Sequence, residues 1–152
     1  MKINPLIIVQ HYGRDILESP GMEMSKGFMQ HGDTSVFAHS LAVALICVQI
    51  AYFLPKFLSK HLNKRALVRG ALLHDYFLYD WHTKHEGHSL HGFFHPGRAL
   101  KNAERDFSLS PTERNMIKTH MFPLTLPPPR YKESWILVVA DKVCAIKETF
   151  KK

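Results

Sequence analysis

Helix punctuation recurs from one end of this sequence to the other and leaves little room for a sheet. Asn4 precedes Pro5, an N-cap followed by the residue that suits the first helical position, where the missing N–H has no intrahelical partner to lose. Ser110-Pro111-Thr112-Glu113 repeats the device as a capping box. Asn63 caps Lys64 onward, and Gly32-Asp33-Thr34-Ser35 offers caps ahead of a long apolar run. Alternation of period two is nearly absent. An all-α bundle of about six helices follows, with the first fading near Ser19-Pro20-Gly21 and a weakly signalled one from about Met22 to Gln30. Longer helices run to about Leu54, from Lys64 to about Phe77, from His95-Pro96 to about Phe107 and from Ser110 to near His120. A last one starts at Glu133 or Ser134 and continues to about Phe150. Leu78 to Phe94 breaks the helical period and reads as a loop crowded with functional groups.

At 152 residues and 45% hydrophobic content the chain suits one core, so residues 1–152 are expected to form a single domain. Cys47 and Cys144 sit inside apolar helical runs, where a thiol behaves as a small buried hydrophobe, so no oxidising compartment is required. The start has too short an apolar run for a signal peptide. Leu41 to Leu54 is interrupted by Gln49, stops at Pro55 and falls short of a bilayer span, so it reads as a core helix. A cytoplasmic protein without a membrane partner is the expectation. The net charge of +7 fits an anionic, phosphorylated small substrate, but the basic residues are scattered and carry no nucleic-acid motif, which makes a nucleic-acid partner a distant reading. Oligomeric state is left open.

The 11 histidines nearly equal the 13 acidic residues, and some of them stand in apolar surroundings. His74-Asp75 lies between Ala71-Leu72-Leu73 and Tyr76-Phe77-Leu78, and Asp141 follows Ile136-Leu137-Val138-Val139-Ala140. His39 heads the long apolar segment, His95 precedes Pro96, and His120 ends a helix. A carboxylate buried in such a helix is costly without a cation or several hydrogen bonds. A single histidine on an apolar face is more often a hydrogen-bonded core residue than a ligand, so the argument rests on the joint pattern. His39, His74, Asp75, His95, His120 and Asp141 would make two metal sites sharing one residue, with ligand types suited to iron, manganese, zinc and nickel. His11, His61 and His85 have no such context and read as surface residues.

In order along the chain, His39, His74-Asp75, His95, His120 and Asp141 resemble the HD superfamily of metal-dependent phosphohydrolases, in its two-metal subset. The segments around them, including Gln30-His31-Gly32-Asp33-Thr34-Ser35, His91-Gly92-Phe93-Phe94-His95-Pro96 and Thr119-His120-Met121-Phe122-Pro123-Leu124, are similar to a small bacterial group of that superfamily over about residues 30 to 150. The resemblance implies that His39, His74, Asp75 and Asp141 hold one divalent ion and that Asp75 bridges to a second held by His95 and His120. It implies iron or manganese first, with nickel, magnesium or zinc as alternatives. The implied reaction is hydrolysis of a phosphate ester, a nucleotide among the candidates, by a water or hydroxide between the ions. Tyr76-Phe77-Leu78 follows the His-Asp pair where the cyclic-dinucleotide branch carries Ile-Gly, and that branch's Gly-Tyr-Pro motif is absent. The same ligands also resemble the mixed-valent di-iron oxygenases of the superfamily, and a non-catalytic metal- or ligand-binding module is the remaining alternative.

Around that set, Asp75 and Lys142 are the candidate catalytic residues, Lys142 because it adjoins Asp141 and could meet a phosphate as a charge-assisted donor. Arg98, Lys101 and Lys118 lie within about a turn of His95 or His120; Arg98 and Lys118 stand as substrate candidates, although solvated helix faces suit Arg98 and Lys101 at least as well. His31, His82 and His91 are candidates for the substrate or for support of the ligands. His91 and His95 have i, i+4 spacing, yet Gly92 and Pro96 argue against one continuous helix there.

Overall fold

The structure is a computed structural model that describes residues 2–78 and 91–150, with the side chains of His31 and His91 left aside. Among the described residues it is all-α apart from one small hairpin, as the punctuation predicts. α1 (Pro5–Leu17) opens on Asn4, whose side chain accepts from the Leu6 amide, and α2 (Pro20–Ser25) opens on Ser19 in the same way. α3 (Val36–Phe53) is capped by Ser35, α5 (Lys64–Leu73) by Asn63 and α7 (Pro111–Thr119) by Ser110. A single-turn α4 (Lys56–Ser59) follows Pro55, and α6 (His91–Asp106) and α8 (Lys132–Phe150) complete the set.

The structure corrects the sequence reading in three places. The short helix ends at Ser25, and residues 29–31 are instead β1 (Met29–His31), paired antiparallel with β2 (Thr34–Ser35). Gly32, at φ 53°, turns the chain between them in a conformation that costs glycine little. Second, α6 begins at His91 and runs through Pro96. Proline removes one backbone donor, and burial of His95, Ala99 and Ala103 on one face holds the helix together across that loss. Third, α5 ends at Leu73, short of the expected Phe77, because His74 caps it and the chain turns at Asp75. α3 starts at Val36, directly after the predicted caps, and is 18 residues long and, by length and composition alone, apolar enough to cross a membrane. Its packing identifies it as a core helix: Val43, Ala44, Cys47, Val48 and Ala51 are buried in the core they share with α5 residues Leu67, Val68 and Leu72 and α8 residues Leu137, Ala140 and Cys144.

That core positions the site. α3, α5 and α8 pack together, and α7 closes the bundle against α5 and α8. Their polar positions therefore meet in its interior.

Candidate metal centre

Six side chains from five helices and one helix-terminal turn converge at the centre of the bundle. His39 lies one turn into α3, His74 caps the C-terminus of α5, and Asp75 follows it in the turn where the Phe77 amide bonds the Asp75 carbonyl. His95 comes from α6, His120 caps α7, and Asp141 lies midway along α8. All six are buried. Every ligand residue singled out from the sequence is therefore brought to one place.

The six divide into two groups around Asp75. His39 Nε2 is 2.9 Å from Asp141 Oδ1 and 3.5 Å from Asp75 Oδ2; His74 Nε2 is 3.3 and 3.2 Å from the same two oxygens. On the other side Asp75 Oδ1 is 3.1 Å from His95 Nε2 and 3.2 Å from His120 Nε2, and those two ring nitrogens are 2.8 Å apart. In each group the candidate ligand atoms lie within 4.8 Å of one another, a spacing that could hold a metal ion.

Hydrogen bonds behind the rings aim them inward. His74 Nδ1 bonds the Ala71 carbonyl at 2.6 Å and His120 Nδ1 bonds the Ile117 carbonyl at 2.7 Å, each one helical turn back. A ring that donates from Nδ1 to a carbonyl keeps, when neutral, its lone pair on Nε2, and it is Nε2 that faces the carboxylates. His39 Nδ1 meets Glu148 Oε2 at 2.7 Å. Asp75 Oδ1 is buried and, despite its two histidine neighbours, takes no hydrogen bond of proper geometry. Two imidazole nitrogens facing one another beside an unbonded carboxylate oxygen form a poor hydrogen-bond network but a suitable donor set for a divalent cation. The residues fit the metal that the sequence implies.

Charge at the centre is shared in the same sense. Burial pushes the Asp75 carboxyl up, but the charge of His74 and the close His120, His74 and His95 rings outweigh it and hold it well below the usual carboxylate range. Burial acts on Asp141 likewise and is overcome chiefly by His74 and His39. For His39, burial favours the neutral ring, yet the bonds to Asp141 and Glu148 raise its pKa to about 9. Burial dominates at His120, whose pKa is lowered.

A cavity of about 640 Å³ opens onto the centre. Asp75, His95 and Asp141 reach its floor, Met121, Pro123, Leu124 and Ala145 supply apolar wall, and Lys142 lines it from α8 with Nζ donating to the Phe122 carbonyl at 2.9 Å. Lys118 is elsewhere: exposed on α7, it lines with Arg114 and Arg130 a separate, smaller concavity. Arg98 is half-buried on α6 and is not among the described residues that line the centre's cavity; Lys101 is exposed. His31 lies on β1 and His91 opens α6, and their side chains, with all of His82, lie outside the described residues.

Two functional neighbours escaped the sequence reading. Glu148 lies seven residues after Asp141 on α8, two turns along the same face, a spacing that could have been read. Gln30, whose Nε2 donates to Asp75 Oδ2 at 2.6 Å, carried no local signal because the hairpin that places it was not anticipated.

No curated protein and no solved structure matches the chain. A family model does: that of the HD domain matches residues 36–146, more than two thirds of the length, and its span contains all six buried His and Asp residues. The chain belongs to the HD domain family.

Proposed function

We propose that this HD domain is a phosphohydrolase that binds two divalent cations, iron or manganese first, and hydrolyses a small phosphate ester. The observation that carries the reading is the division of Asp75, one oxygen toward His39, His74 and Asp141 and the other toward His95 and His120. Bound at those two groups, divalent cations supply Lewis-acid charge to phosphoryl oxygens and bring the pKa of a water near neutrality. The protein's own residues do the rest. Ala71, Ile117 and Glu148 hold three imidazoles with Nε2 inward, so no ring has to reorient when a cation enters. Lys142, exposed and tethered among the described residues to a backbone carbonyl, can exchange that bond for a phosphate oxygen. Met121, Pro123 and Leu124 form an apolar wall beside the ester and keep bulk water from it. In the reaction a water oxygen bonds phosphorus, the ester P–O bond breaks, and the alcohol leaves with a proton from that water.

The test combines metal analysis with turnover. Protein purified without chelator is expected to carry transition metal and, with manganese or iron, to release phosphate from members of a panel of phosphate monoesters and nucleotides. Less than one transition-metal ion per chain after reconstitution would remove the basis of the reading. Oxygen uptake without phosphate release would assign the centre to oxidation instead.

A further inference from the structure

Gln30 does something at the centre that no ligand role explains. It is 6% exposed and donates from Nε2 to Asp75 Oδ2 at 2.6 Å. A carboxylate offers only acceptors, so the NH2 end of the amide must face Asp75 and the carbonyl end must face elsewhere. That carbonyl oxygen, Oε1, is buried and takes no hydrogen bond, and Gln30 lines the cavity of the centre. A buried amide with one end committed and the other unmet is a poor way to fill space, because methionine would occupy a similar volume with no stranded acceptor. What the amide supplies and methionine does not is a fixed donor to one oxygen of the shared carboxylate.

We infer that Gln30 is the positioning residue of Asp75. Asp75 hangs from a short side chain in a turn, and its value to the two groups depends on which oxygen faces which. The Gln30 bond selects Oδ2, the oxygen that faces His39 and His74, and so turns Oδ1 toward His95 and His120. Without it, rotation about the carboxylate bond has no restraint from β1, and the geometry that lets one residue serve both groups is lost. The hairpin is then part of the centre, since its first strand carries Gln30 to Asp75.

The inference rests on the two-cation reading, and its test separates the two. The full chain and its Gln30→Met variant, both stripped of metal, are titrated with Mn2+ and followed by calorimetry and electron paramagnetic resonance. Wild type is expected to take two ions with an exchange-coupled spectrum. Gln30→Met is expected to keep the first ion with affinity within about threefold, to bind the second at least tenfold more weakly, and to lose the coupled signal. A coupled spectrum and twofold-unchanged affinities in the variant overturn the role of Gln30 and leave the two-cation reading standing. Wild type that binds a single ion overturns both. Should the variant not fold, the wild-type chain still decides: the Gln30 side-chain amide, assigned by nuclear magnetic resonance, is expected to exchange with water at least tenfold more slowly than those of the exposed Gln10 and Gln49. Equal exchange rates would overturn the bond itself.

Discussion

Asp75 is the residue on which most of the site depends, and truncating it has a consequence that truncating a histidine does not. Asp75→Ala is expected to abolish metal binding in both groups, whereas His120→Ala removes one ligand of a single group; metal content after dialysis measures both. The two lysines raised by the sequence separate in the same way. Lys142 faces the cavity and Lys118 a different concavity. A charge-assisted hydrogen bond contributes about 1.5–3 kcal/mol, so Lys142→Ala is expected to lower kcat/KM roughly 10- to 100-fold while Lys118→Ala leaves it within about twofold. The six candidate ligand residues were legible because each is a polar group in an apolar or helix-terminal setting. Gln30 was not, because its partner Asp75 is 45 residues away and a short hairpin places it; Glu148 keeps a helical spacing from Asp141, but its partner His39 lies 109 residues away. Only the fold brings them together.

At the scale of elements, caps located the starts of α1, α3, α5 and α7, since side-chain hydrogen bonds to the first turn are local chemistry. What escaped was decided by packing: the run through Pro96, where buried alanines outweigh a lost backbone bond, and a hairpin too short to show alternation. Helix spacing around the centre is set by close approaches of the same kind. Gly70 on α5 faces Met116 of α7, and a Cβ there would stand 3.1 Å from the Met116 Cβ and closer still to its sulfur. Gly70→Val is therefore expected to overpack the α5 and α7 contact at a cost of about 1–3 kcal/mol. For a chain of this size that lowers Tm by roughly 3–10 °C, read by thermal denaturation. Because His74 and His120 cap these two helices, the same variant is expected to weaken metal binding without touching a ligand.

For the whole molecule, the charged centre makes stability depend on pH in opposite senses with and without metal. His39, with its folded pKa raised to about 9 from 6.5, stabilises the metal-free protein fully below pH 6.5 and loses that contribution as pH rises through 9. Asp75 and Asp141, with folded pKa values below 3.8, contribute above that value and lose it as pH falls further. The metal-free chain is thus expected to show its highest Tm between about pH 4 and 6.5 and to decline toward pH 9. A bound cation must displace the His39 proton, so the Tm gain from metal should grow over that same alkaline range, and calorimetry in buffers of different ionisation enthalpy should register proton release. At a hundredfold excess over Kd the metal contributes about 2.7 kcal/mol, roughly 5–10 °C, removed again by chelator. The bond between Lys142 and the Phe122 carbonyl adds an optical consequence. The Phe122 ring stands edge-on to Trp135, centroids 5.5 Å apart, so the indole is coupled through one residue to the cation at the cavity. When Lys142 leaves that carbonyl for an anion, the emission of Trp135 should change in intensity or wavelength, and in a Trp81→Phe background the chain becomes its own fluorescent titrant for phosphate.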